Sequence, residues 1–200
     1  MNRVQDPAIG RIETETVVAA IDRALDTAGA AVAALEPGSL GAATLCAEWD
    51  VHTLLDHLVT VMYGSVAALS DITGDAELPE DVLGSDPHGA FATAAELDRA
   101  AWSRPDALER AVPTPLGELP GPSAALAHLL ELTVHGTDLA LAIGRPDLAD
   151  DALCAALLEA VVGAGGLDPY RQPGWFDPAV PVADDAPDHL RLLAYTGRRV

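Results

Sequence analysis

Glu131 and His135 stand four residues apart in one long apolar stretch, and His57 lies within another. A helix turns about 100° per residue, so positions i and i+4 project from one face and can offer a carboxylate and an imidazole to the same cation. With His57 presented from a facing helix the set becomes His-Glu-His. That is three N/O donors with room for water or substrate, the arrangement a catalytic divalent metal needs.

The same stretch carries His128, Glu131, His135 and Asp138 at spacings of three, four and three, which places all four along one stripe. Burying Glu131 among Leu129, Leu130, Leu139 and Leu141 costs several kcal/mol unless a cation or hydrogen bonds compensate. A divalent metal would keep Glu131 ionised and accept a neutral imidazole nitrogen from His135. Asp138 is placed either to orient His135 from behind or to hydrogen-bond across the fold, and His128 is the outlying member of the stripe. A metal-free alternative stands beside this one: a Glu131–His135 salt bridge on a wet face, or a stripe satisfied internally, would need no ion. His52, five residues from His57, is expected at the surface. Cys46, in a loop, reads as a structural thiol more readily than a nucleophile, and Cys154 reads as core.

The elements that must position these groups are legible from periodicity. Val17, Val18, Ile21, Ala24, Leu25, Ala28, Val32 and Leu35 recur at helical spacing, and Pro37-Gly38 closes that helix. Asp50 can cap a second helix, from Val51 to about Ser70, that carries His57 beside its buried stripe. The acidic stretch Asp71 to Gly89, with two prolines and three glycines, reads as a surface loop containing His88. A third helix is expected over about Ala90 to Trp102, then a short helical turn from Pro105 to Arg110. Ala111 to Pro122 contains four prolines and favours extended or turn conformations. The Glu131 helix follows over Ala124–Ile143, a fifth opens at Asp150 or Asp151, and Asp188–Tyr195 regains helical spacing after a Pro- and Asp-rich tail. We therefore expect an all-α, up-and-down four-helix bundle with short extra helices and an irregular Pro-rich C-terminal segment, forming one domain over residues 1–200.

Composition narrows the partners. The 200 residues carry 11 basic and 31 acidic groups, a net charge of −20, and every basic residue is Arg. A duplex-binding face needs clustered cations and an anionic bilayer repels such a chain, so neither nucleic acid nor membrane is expected as a partner. The start, Met1 to Gly10, has no apolar core of a signal sequence, and two cysteines are too few for a disulfide framework, which together point to the cytoplasm.

Two spaced motifs then become recognisable. Thr44-Leu45-Cys46-Ala47-Glu48-Trp49-Asp50-Val51-His52-Thr53-Leu54-Leu55-Asp56-His57 resembles the T-P-C-x-x-W-x-V-x-D-L-x-x-H stretch of a bacterial metal-binding family. That family is related to the N-terminal domain of mycothiol-dependent maleylpyruvate isomerase and has a DinB-like four-helix bundle. Glu131-Leu132-Thr133-Val134-His135-Gly136-Thr137-Asp138-Leu139-Ala140 resembles its E-x-x-V-H-G-W-D-L-A motif, and the tail from Gly174-Trp175-Phe176 to Leu193 resembles the ending of its single-domain branch. Leu45 stands where the family has Pro, and Thr137 where it has Trp.

The resemblance implies a divalent metal, zinc above others, held by His57, Glu131 and His135, with an open position for a thiol cofactor such as mycothiol. It implies metal-dependent chemistry of a low-molecular-weight thiol, as a transferase or isomerase acting on a small electrophile; the chain itself is expected to be a monomer or homodimer. Maleylpyruvate isomerisation itself is not expected, because the resemblance does not extend to that enzyme's second domain. The competing expectation is a non-enzymatic metal or thiol binder: a carrier, sensor or partner module.

Overall fold

The computed structural model describes residues 14–36, 38–47, 49–70, 81–172 and 175–200. The Met1 to Gly10 reading, the Pro37 helix stop, the Gly174 start of the tail motif and residues 71–80 of the expected acidic loop lie outside the described residues.

Four long helices carry the fold: α1 (Thr14–Ala33), α2 (Val51–Leu69), α3 (Pro87–Trp102) and α4 (Gly121–Ala142). Their starts follow local chemistry. Asp50 Oδ1 accepts the Thr53 backbone N–H at 2.8 Å, and Asp86 Oδ1 accepts that of Gly89 at 3.0 Å, each satisfying a donor that a helix N-terminus leaves orphaned. Pro87 fits the first turn of α3, where no N–H is needed. The third helix therefore begins three residues before the expected Ala90, and His88 is an exposed first-turn residue rather than part of a loop. Ile21, Leu25, Leu54, Leu55, Leu58, Met62, Leu129, Leu132 and Leu139, all fully buried, form the shared core.

Chain neighbours are not all spatial neighbours. Helix α1 packs on α4 and α3, and α2 packs on α3 and α4, so α1 faces α2, and α3 faces α4, across the diagonals. The segments joining those diagonal pairs are long enough to cross an end of the bundle. The second crossing holds the two strands found among the described residues: Pro105–Arg110 forms turns instead of the expected helical turn, and residues 111–120 form a hairpin of β1 (Ala111–Thr114) and β2 (Gly117–Pro120). Pro at positions 113 and 115 denies a helix its N–H donors but suits a short exposed ribbon.

Helices α5 (Asp151–Gly163) and α6 (Asp188–Tyr195) pack on each other beside the bundle. Phe176 packs on the core, while Trp175 stays 41% exposed. The end of α6 matters to the site. Gly197 adopts φ +100°, the Arg198 N–H reaches back to Leu193 O at 3.0 Å, and the chain reverses toward α4. A Cβ at position 197 would stand 2.6 Å from Asp177 Cβ, so close approach as well as handedness requires glycine.

Candidate metal centre

Helix α4 supplies two groups to a common point and α2 supplies the third. Glu131 Oε2 is 3.2 Å from His57 Nε2 and 3.3 Å from His135 Nε2, and the two imidazole rings meet edge to face with centroids 4.7 Å apart. One donor atom from each residue lies within 4.8 Å of the others. The structure thus brings together Glu131 and His135, paired by their spacing, and His57 from the other helix. Glu131 is not sealed in apolar surroundings, however. About 35% of its side chain is exposed, and it lines a large cavity. His52 is exposed, as expected.

A loop closes over the two rings. Thr44 Oγ1 accepts the Cys46 N–H at 3.1 Å and donates to Trp49 O at 2.9 Å, fixing a tight reversal between α1 and α2. The Trp49 indole then lies 4.9 Å from His57 and 5.7 Å from His135, nearly parallel to the latter. The Thr, Cys and Trp of the first motif are therefore the pin and the roof of this site.

Behind His135 lies a second layer. Its Nδ1 is 3.4 Å from Asp138 Oδ2 and 3.8 Å from Cys46 Sγ. Asp138 is wholly buried, and Arg198 reaches its Oδ2 through Nε at 3.1 Å and Nη2 at 3.0 Å. Arg198 Nη2 also donates to Cys46 Sγ at 3.3 Å. Cys46, His135 and Asp138 form a second group with metal-ligand spacing, but a guanidinium already supplies its positive charge. Cys46 is half-buried at the cavity wall rather than a core thiol, in contrast to Cys154, whose thiol burial pushes up to about 12.

The charges are mutually dependent. Burial works against ionisation of Glu131, yet hydrogen bonds to His135 and His57 outweigh it and hold the carboxyl well below the usual range. Burial likewise opposes charge on His135, but Asp138, Cys46 and Glu131 raise its pKa well above the ordinary imidazole value. Asp138 is held low by His135 and Arg198 against the same burial penalty.

His128 does not join this group. Its Nε2 pairs with Asp98 Oδ2 at 2.8 Å, and Trp102 stacks on its ring at 5.5 Å. Sequence reasoning missed Asp98 and Arg198, because neither stands at a spacing that ties it to the Glu131 helix.

The cavity has a volume of about 1540 Å³, with His57, Glu131 and His135 in its wall and Leu126, Leu130 and Val134 among its apolar lining. A profile of the mycothiol maleylpyruvate isomerase N-terminal domain matches residues 21–140, the stretch that holds all three converging residues, Asp138 and the Thr44–Trp49 roof. The chain belongs to that family. Two similar relatives, uncharacterised proteins of Mycobacterium tuberculosis strains CDC 1551 and H37Rv, are each 31% identical over 186 residues, covering 89% of this chain and 95% of theirs. No solved structure matches. Family membership accords with the mostly helical, DinB-like fold and with a mycothiol-related role. Among the described residues no helix is long and apolar enough to cross a membrane.

Proposed function

We propose that this family member performs metal-dependent chemistry on a low-molecular-weight thiol, with His57, Glu131 and His135 holding a divalent cation, zinc by preference. The thiol, mycothiol in the first instance, would be joined to a small electrophile or used to isomerise it. The observation that carries this reading is the convergence of two Nε2 atoms and one carboxylate oxygen from two helices, with the opposite edge of His135 engaged by Asp138.

The residues fit such an ion. A proton on His135 Nδ1, directed at Asp138, leaves the Nε2 lone pair facing Glu131 and His57, the tautomer a ligand must have. Two imidazoles and one carboxylate neutralise part of a divalent charge and match zinc as well as other first-row metals. When bound, the ion supplies Lewis acidity and favours the thiolate form of a coordinated thiol.

This chain's own groups do the rest. Asp138 orients His135 and is itself anchored by Arg198; Trp49 shields both imidazoles from solvent on one side. The apolar wall lowers the local dielectric around a reacting sulfur. A cavity of about 1540 Å³ exceeds the roughly 300–1,000 Å³ of a usual small-ligand pocket, which suits a bulky thiol together with a second reactant.

The test begins with metal analysis of protein purified without added metal, for wild type and His57→Ala. Zinc-loaded protein is then assayed for conjugation of mycothiol to a panel of electrophiles. We expect stoichiometric metal in wild type, its loss in the variant, and turnover that a chelator abolishes. Stoichiometric metal without turnover across the panel would leave a carrier or sensor; no metal and no stabilisation by added zinc would overturn the reading altogether.

A further inference from the structure

We propose that His128, held by Asp98, is the proton-transfer group of the cavity, taking the proton of a reacting thiol and returning it to the product. This rests on the thiol reading above and adds to it a residue outside the metal-ligand set.

Asp98 is completely buried on α3, and its Oδ2 lies 2.8 Å from His128 Nε2 on α4. Those two helices lie across the diagonal of the bundle, so the pair joins elements that are not packing neighbours. A carboxylate at Nε2 fixes the neutral ring with its proton there, which leaves Nδ1 as the nitrogen with a free lone pair. Both His128 and Trp102, which stacks on it, line the cavity that contains Glu131. On α4 the imidazole is three residues from Glu131, about 5–6 Å between Cβ atoms.

A pair that only stitched two helices together would be expected to close its own hydrogen bonds. Instead, Asp98 Oδ1 and Trp102 Nε1 are buried with no partner among the described residues. Among the described residues Asp98 from α3 pairs with the ring, and Glu131 from its own helix and His57 from α2 line the same cavity. The nearest guanidinium in sequence, Arg99, turns away to Asp22 and Asp26.

The step balances without an oxidant. The S–H bond breaks with its electron pair left on sulfur, and the proton passes to His128 Nδ1. The sulfur then forms a bond to the electrophilic carbon of an activated C=C or C=O group. The displaced π pair settles on the adjacent acceptor atom, and that atom takes the proton back from His128.

The experiment titrates mycothiol into the zinc-loaded protein by calorimetry in two buffers of different ionisation enthalpy, giving the protons released per thiol bound. Wild type should release almost none, because His128 retains the proton, while His128→Gln and Asp98→Asn should each release close to one. Two variants guard against misfolding of either, and circular dichroism must match wild type. Equal proton release in all three proteins would overturn the proposal while leaving thiol binding intact. No thiol binding to the metal-loaded protein would overturn the thiol reading and this proposal together.

Discussion

Asp138 Oδ2 lies 3.4 Å from His135 Nδ1, on the opposite edge of the ring from Glu131, so one imidazole stands between two carboxylates. In metal sites a group in Asp138's place fixes the ligand tautomer, and its loss typically weakens metal affinity by about 10–100-fold. Asp138→Asn should do the same, read by competition with a chromophoric chelator. It should also lower stability, because Arg198, only 11% exposed, loses its charged partner. Unchanged zinc affinity would remove Asp138 from the centre.

Protons and metal should compete at His135. Its raised pKa helps the metal-free fold at pH below the unfolded value of about 6.5, and that help is lost as pH rises through the raised folded value. The depressed Glu131 and Asp138 carboxyls act in the opposite sense. Their contribution is present above the usual carboxylate range of about 4 and is lost as pH falls through their folded values. A bound cation requires neutral imidazoles, so the rise in Tm produced by zinc should be larger at pH 8 than at pH 5.5. Equal rises at both would contradict metal binding through these histidines.

Trp49 should report the ion directly. Its indole lies 4.9 Å from His57 and 5.7 Å from His135, whereas Trp102 stacks on His128. Zinc should therefore change the tryptophan emission of wild type and leave that of Trp49→Phe almost unaltered. A response of the same size in the variant would place the ion elsewhere.

Gly136, next to His135, lets α4 approach α1. A Cβ there would meet Ala28 Cβ at 3.0 Å and Ala28 Cα at 3.4 Å. Gly136→Ala should pay an overpacking cost of about 1–3 kcal/mol, offset by the roughly 1 kcal/mol that alanine gains in a helix. Net destabilisation of about 1 kcal/mol in urea unfolding, with a weaker metal site, is the expected outcome.

The helices and the Glu131–His135 pair were legible because both depend on short-range regularities, whereas the approach of His57 is a contact between helices 74 residues apart in sequence. Apolar recurrence marked the stripes, and the i, i+4 spacing put Glu131 and His135 on one face. The order of helices around the bundle was not legible, since diagonal pairing of α1 with α2 is set by packing. His128 shows the same limit: its position on the stripe was readable, but its partner Asp98 comes from a different helix 30 residues away. Arg198 reaches the site only because Gly197 reverses the chain, and an arginine near the end of a tail carries no pattern of its own.

X-ray absorption of the zinc-loaded protein tests the central claim most directly, because it separates the two groups that could take an ion. Coordination by His57, Glu131 and His135 predicts only nitrogen and oxygen neighbours, at about 2.0–2.2 Å, with an imidazole signature that weakens in His57→Ala. A sulfur neighbour at about 2.3 Å in protein without added thiol would place the ion at Cys46, His135 and Asp138 instead, and would contradict it.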